Sequence, residues 1–272
     1  MANIAYPQFN SVVLNPPLKW AGGKRWLLPH LLTIWQNYSH CRLVEPFCGG
    51  LAIALGLRPE EALLNDINPH VVNFYKCLQK GLKLDIDIQN EKEFYYVQRS
   101  EFNRLIQEGQ AKSSKAAQIF YYLNRTGYNG LCRFNRKGGF NVPFGRHKTI
   151  NYIQDFSAYK LVLKKWKFIN VDFLEVPITS NDFIYADPPY DVEFRQYSQH
   201  GFAWSDQERL ASWLAKQNCP AIASNQATER ILSLYQDLGF KIEILDAPRR
   251  ISCNGNRVAA KEMLAYKGLR LL

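Results

Sequence analysis

Apolar positions along the chain fall into two alternating kinds of run. Four short blocks, Arg42 to Phe47, Lys167 to Val171, Phe183 to Asp187 and Pro220 to Ser224, are close to continuously apolar, as expected of strands covered on both faces. Between them lie stretches with helical spacing and their own punctuation. Asn68-Pro69 opens a helix that Gly81 closes; Ser205 and Glu208 stand at capping-box spacing ahead of Leu210, Trp213 and Leu214; a third helix follows Lys24. The alternation predicts an α/β fold with a mainly parallel sheet.

The middle of the chain has a different rhythm. Glu91 to Gln107, carrying Phe94 and Val97, and Lys115 to Leu123, carrying Ala116, Ile119 and Phe120, are helical in spacing with no strand between them. Arg133 to Gly145 reads as a hairpin turning near Asn135-Arg136-Lys137-Gly138, where glycine supplies positive φ. The expected organisation is one nucleotide-type α/β domain, residues 1–69 and 161–272, interrupted by a helical insert over 70–160 with its hairpin at about 127–148.

Charge sharpens this division. The 272 residues carry a net charge of +10, yet the segment from Arg99 to Lys167 alone holds 14 Lys and Arg against three acids, so the remainder is close to neutral. The segment also carries Tyr121, Tyr122, Tyr128, Phe134, Phe140 and Phe144. Basic and aromatic residues together favour a nucleic-acid surface over a merely solvated face. A hydrophobic content of 47% suits a packed core. No apolar run approaches the ~20 residues of a membrane span, and residues 1–18 lack a basic start and an apolar signal core, so a cytosolic, nucleoid-associated monomer is expected. Cys41, Cys48, Cys77, Cys132, Cys219 and Cys253 are scattered without Cys-x-x-Cys or His spacing, which favours reduced thiols and no metal site.

The candidate chemistry lies in three places. The apolar run from Phe183 ends in Asp187-Pro188-Pro189-Tyr190; neither proline can extend a ladder, so the strand stops there. A carboxylate, a proline carbonyl and an aromatic ring are then held where open α/β sheets place ligands. Such a group suits an exocyclic amine on a flat base, with Asp187 and the Pro188 carbonyl accepting its N–H bonds and Tyr190 stacking; a plain proline turn is the alternative. Lys19-Trp20-Ala21-Gly22-Gly23-Lys24 could hold a phosphate, although Walker spacing is absent. Glu45-Pro46-Phe47-Cys48-Gly49-Gly50 is a glycine turn entering an apolar helix, and Asp66 follows at ribose-binding distance or caps the next helix. Glycine turn, downstream acid and terminal Asp-Pro-Pro-Tyr fit S-adenosylmethionine better than NAD.

Together with Asn65-Asp66-Ile67-Asn68, Asn124 to Asn135, Phe140 to Arg146 and Arg250-Ile251-Ser252 to Arg257, these segments resemble the Dam-type DNA adenine-N6 methyltransferases of the D12 class, alpha group, over most of the chain. The resemblance implies a Rossmann-like S-adenosylmethionine-dependent methyltransferase domain with an inserted helical DNA-recognition domain and β-hairpin. It implies that Trp20, Lys24, Asp66 and Asp187 contact the cofactor, that Phe47 and Gly49 shape its pocket, and that Asp172 and Phe173 lie near its adenine. Asp187, Pro188, Pro189 and Tyr190 would hold a flipped target adenine. In GATC-reading members, the lysine matching Lys19 and the arginine matching Arg133 read guanines. Asn129, Leu131 and Pro143 would lie at the bases, Tyr128 would wedge the disturbed stack, and Asn135 and Arg146 would contact phosphates of double-stranded DNA. Two positions depart from the pattern: Leu51 stands where a further glycine is common, and His147 where a GATC-reading tyrosine is common. N4-cytosine or RNA-base methylation follows the same amine logic, a protein-amide methyltransferase reads Asn-Pro-Pro-Tyr instead, and a DNA-binding module with a vestigial cofactor pocket is the reading from another class.

Overall fold

The computed structural model describes residues 14–191, 202–247 and 260–269. Strands β1 (Arg42–Glu45), β2 (Ala62–Asn65), β3 (Trp166–Ile169), β4 (Asp182–Ala186), β5 (Ala221–Gln226), β6 (Lys241–Ala247) and β7 (Ala260–Lys267) form a seven-stranded sheet in the order β3-β2-β1-β4-β5-β7-β6. Strands β1 to β5 are parallel, and β7 runs antiparallel to both β5 and β6. Around the sheet lie α1 (Leu28–Trp35), α2 (Ala52–Leu57), α3 (Pro69–Lys80), α4 (Lys92–Gln107), α5 (Ser114–Thr126), α6 (Ser157–Val162), α7 (Trp204–Ala215) and α8 (Glu229–Asp237).

Both faces of the sheet are covered, which is why its central strands are apolar throughout. Leu43, Leu64, Phe183, Tyr185 and Ile222 pack into a core shared with Leu31, Trp35, Ile53 and Phe74. Their neighbours Val44, Leu63, Ile184, Ala186 and Ala223 pack the other way, against Leu210, Leu214, Ile231 and Tyr235. At one end of the β1–β4 pair, Arg42 lies in register with Asp182 and grips its buried carboxylate with two hydrogen bonds of 2.8 Å.

All four expected strands are present, and three more join them. β6 alternates Ile242 and Ile244 with polar residues and carries the period-two signal of a half-covered strand. β2 is only four residues long, and β7, Ala260–Lys267, consists of Ala, Lys, Glu, Met and Leu apart from Tyr266, mostly helix formers that sheet pairing overrides. The helix punctuation holds for α3, where Asn68 Oδ1 accepts from His70 N at 3.0 Å and Gly81 closes with φ 90. It fails for α7. The Ser205 capping box is corrected, because Ser205 lies inside the first turn and Asp206 instead accepts from the backbone N–H of Ala203 at 2.9 Å.

The two stretches of helical spacing are helices, α4 and α5 following α3 without a strand. The Arg133 to Gly145 segment has a hairpin outline but no regular ladder. Phe134 bridges Phe140, Gly127 bridges Phe144, and Asn135 N–H donates to Gly139 O at 2.8 Å. Pro143 lacks a donor, and the Asn135 side chain takes the N–H groups of Lys137 and Gly139, so the backbone has little left for extended pairing. The aromatic part of the expected nucleic-acid surface is corrected too. Tyr121, Tyr122 and Phe140 are buried, with Tyr121 stacked on Phe74 at 5.4 Å, and Tyr128 alone of the six aromatics named above is strongly exposed.

His70 joins the insert to the α/β core. Its ring stacks on Phe134 at 4.9 Å and meets the edge of Phe102 at 5.0 Å, and its buried Nδ1 has no hydrogen-bond partner among the described residues. Burial holds its pKa down at about 4, against 6.5 for a free imidazole. The unfolded chain therefore takes up a proton first on acidification. The stability that neutral His70 contributes is complete above pH 6.5 and is lost down to about pH 4, amounting to about 3 kcal/mol. His70→Phe keeps the stack without the titration, so its urea midpoint should fall less than the wild-type midpoint across that window; parallel losses would clear His70.

Candidate active site

Between β1 and β4 the chain connections leave in opposite directions, which opens a crevice at the carboxyl ends of these strands. β4 delivers Asp187 to Tyr190 there. Asp187 Oδ1 accepts from Lys24 Nζ at 2.6 Å and from Ser224 Oγ on β5 at 3.0 Å, and Ser224 is itself 2.9 Å from the Tyr185 hydroxyl. Asp187 Oδ2 has no hydrogen bond among the described residues, and 23% of the side chain is exposed. The Pro189 carbonyl accepts from Gln207 Nε2 at 2.9 Å, and Asn225 fixes that amide in turn at 3.0 Å. The proline pair is thus held from α7 and β5 as well as by its own rings.

Lys24, read from sequence as a cofactor contact, is almost wholly buried and faces a second carboxylate, Glu262 of β7, at 3.2 Å. Glu262 also receives the Tyr190 hydroxyl at 2.5 Å, and the Tyr190 ring lies 4.6 Å from Lys24 Nζ. Burial disfavours the ammonium, but Asp187, and behind it Tyr185 and Glu262, outweigh that cost and hold it well above its ordinary range. Burial pushes the Glu262 carboxyl upward against the pull of Lys24. Neither Ser224 nor Glu262 was found from sequence; the one signal was a lone acid in the apolar run Met263 to Ala265.

The glycine turn after β1 is closed by Asp66. Its Oδ2 accepts from Gly49 N at 3.0 Å and its Oδ1 from Asn68 N at 2.8 Å, while burial lifts its pKa to about 6. The capping role weighed for Asp66 belongs to Asn68. Trp20 lies directly on the turn: at Gly49, with φ 43, an added Cβ would sit 2.5 Å from Trp20 Nε1. Phe47 packs against Phe173 and Phe202, both at 5.6 Å, and forms an aromatic wall. Asp172 caps the short helix bearing Phe173 and lies 3.3 Å from Arg209. Glu45, given no role from sequence, is a buried carboxylate whose Oε1 has no partner among the described residues, and burial drives its pKa well up.

The segment from Lys19 to Lys24 joins this crevice to the insert. Lys19 exchanges backbone hydrogen bonds with the Asn124 side chain at 2.8 and 2.9 Å, and its Nζ donates to Arg125 O at 2.7 Å. His147 Nε2 is 3.3 Å from that ammonium and 3.1 Å from Gly127 O, so Lys19, expected to read a guanine, is in contact with the histidine that stands where a tyrosine is common. Burial and the nearby Arg125 lower the Lys19 pKa. Gly130 lets Lys19 close in, since a Cβ there would lie 2.4 Å from Lys19 Cβ. On the same loops Tyr128 and Asn129 are exposed, Leu131 is half-buried, and Pro143 and Arg146 are exposed. Arg133 donates to Asn141 Oδ1 at 2.8 Å and to Asn141 O at 3.1 Å. Asn135 is exposed with its Oδ1 engaged in the turn. The Arg250 to Arg257 segment lies outside the described residues.

Comparison with known proteins bears on this arrangement. The family described as D12 class N6 adenine-specific DNA methyltransferase matches residues 20–251. The chain is 35% identical over 268 residues to the retron Ec67 DNA adenine methylase of Escherichia coli, covering 93% of this chain and 91% of that protein. It is 33% identical to the DNA adenine methylase of Haemophilus influenzae, with 94% of each covered. It is 34% identical to the DNA N-6-adenine-methyltransferase of Escherichia phage P1 over 88% of this chain, which spans 33% of that longer protein.

Leu51, where a glycine is common, adopts φ 61 while wholly buried. Truncation to Ala should cost about 2–5 kcal/mol for the lost packing. Leu51→Gly should cost about 1 kcal/mol less than Leu51→Ala, the reverse of the usual order, because only glycine is relaxed at positive φ. Urea unfolding of the two variants decides it, and a less stable glycine variant would show the turn to be unstrained.

Proposed function

Because the chain belongs to the D12 class N6 adenine-specific DNA methyltransferases, we propose that it transfers the methyl group of S-adenosylmethionine to N6 of an adenine flipped out of duplex DNA, within GATC. The observation that carries this reading is Asp187 Oδ2, a partly exposed carboxylate oxygen without a partner among the described residues, at the end of β4 beside a fixed proline pair and Tyr190.

The residues of the crevice fit the cofactor. The turn at Gly49, roofed by Trp20 and closed by Asp66, is a close-approach backbone site, Phe47 and Phe173 offer a flat apolar wall, and buried Glu45 keeps beside it an oxygen unpartnered among the described residues. Trp20, Lys24, Phe47, Gly49, Asp66, Asp172, Phe173 and Asp187 would hold it. Bound S-adenosylmethionine supplies an electrophilic methyl group. The protein's part is to prepare the base. An adenine N6 lone pair is delocalised into its ring and is inaccessible in a stacked duplex, so the base must be extruded. Asp187 Oδ2 and the Pro188 carbonyl would accept the two N–H bonds and draw the nitrogen toward tetrahedral geometry, with Tyr190 on the ring face. No covalent enzyme intermediate is needed, and orientation with preorganised dipoles supplies the acceleration.

Residues 70–160 would form the recognition insert. Its concentrated positive charge supports phosphate tracking, to which Asn135 and Arg146 contribute. Lys19 and Arg133 would read guanines, Asn129, Leu131 and Pro143 would approach the bases, and exposed Tyr128 would fill the gap left by the flipped base. His147 would face the thymine position from its contact with Lys19.

Asp187→Ala should lower kcat at least about a hundredfold while duplex binding survives, since it removes a preorganised acceptor and no phosphate contact. Near wild-type turnover in that variant would sink the catalytic assignment. For Arg133→Ala, methylation of GATC should be compared with each single-base variant of its outer pair. Loss of a guanine contact should cost roughly 1–3 kcal/mol and relax discrimination at that pair alone. A uniform slowing of every substrate would make Arg133 a phosphate contact.

A further inference from the structure

Glu262 lies outside every motif that the site reading uses, yet it sits at the centre of the site. It is 1% exposed, one oxygen receives the Tyr190 hydroxyl at 2.5 Å, and the other lies 3.2 Å from Lys24 Nζ as an ion pair. Lys24 is already neutralised by Asp187 at 2.6 Å, so the cluster of one ammonium and two carboxylates has a formal charge of −1. A carboxylate removed from water is costly unless its charge is matched. Within this cluster the match is incomplete, and the open side of the cluster is Asp187, the one member with appreciable exposure toward the crevice.

We propose that Glu262 is a positioning residue that fixes Tyr190 and Lys24 and leaves the crevice one negative charge in excess, so that the site favours a cationic sulfonium over the neutral thioether left after methyl transfer. The inference rests on the S-adenosylmethionine reading above. As the sulfur–methyl bond breaks and the nitrogen–methyl bond forms, the bonding pair returns to sulfur and the positive charge passes to the nitrogen, which releases it as a proton to water; an excess negative charge in a weakly screened site thus distinguishes the sulfonium donor from the neutral thioether. Favoured entry of the cation and favoured exit of the neutral product follow from the same residue.

The test is calorimetric binding of S-adenosylmethionine and of S-adenosylhomocysteine, separately, to the full chain and to Glu262→Gln, with circular dichroism to confirm the fold. In Glu262→Gln the ratio of thioether Kd to sulfonium Kd should fall at least about threefold relative to wild type, chiefly through weaker sulfonium binding. Glu262→Asp keeps the charge while withdrawing from the Tyr190 hydroxyl, and its ratio should stay within about twofold of wild type. Equal weakening of both ligands in folded Glu262→Gln, or no change in either, overturns the proposal. Should Glu262→Gln not fold, loss of the wild-type ratio in folded Glu262→Asp overturns it equally. A wild-type chain that binds neither ligand would overturn the donor reading itself, a result distinct from an unchanged ratio in a binding-competent variant.

Discussion

The Lys24 ammonium is held 2.6 Å from Asp187 and 3.2 Å from Glu262 with almost no surface exposed, and an interior charge of this kind must be met by opposite charge at close range or be lost. Meeting it draws three distant pieces of chain to one point: the segment before α1, the end of β4 and the middle of β7. With Lys24 anchored, the five residues before it have few places to go. Trp20 comes to rest on the Gly49 turn, and Lys19 reaches the carbonyl of Arg125 at the end of α5. One short segment therefore touches the acid, the glycine turn and the insert.

The scaffold that sets those contacts is stiff. Its sheet is packed on both faces, and the residues flanking the crevice are tied by side chains rather than left to loop entropy: Asn65 to Pro46 O and Val171, Gln207 to Pro189, Asp66 to Gly49 and Asn68. Side chains tie the helices over 70–126 and the loop after them as well. Aromatic packing joins α5 to α3, His70 with Phe134 pins the base of the hairpin-like loop, and α4 holds its returning arm, where Asn103 exchanges hydrogen bonds of 2.7 and 3.1 Å with the Phe140 backbone and Tyr95 donates to Val142 O at 2.9 Å.

The regional positive charge and the regional aromatics, which look like one signal in the sequence, have separate fates in the fold. Arg136, Lys137 and Arg146 are exposed, while Tyr121, Tyr122 and Phe140 are core. Aromatic rings bury helices that have no sheet of their own, while Arg136, Lys137 and Arg146 stay at the surface.

Much of the architecture and half of the site were legible in the residues because their signals are local. Prolines end a strand wherever they stand, so Asp187 to Tyr190 could be placed at a strand's carboxyl end; Asn68-Pro69 and Gly81 bound α3 by backbone chemistry alone; Gly49 announces a turn. Resemblance in the same motifs pointed to the family whose model matches the chain. What the sequence could not express were partnerships between residues far apart in the chain. β7 is composed mostly of helix formers and is a strand only because β5 and β6 flank it, and the false capping box at Ser205 shows that spacing without a neighbour is ambiguous. Glu262 became part of the site through that same override. A buried carboxylate takes its role from the charge it meets, and only the folded sheet brings Lys24 and Tyr190 to it.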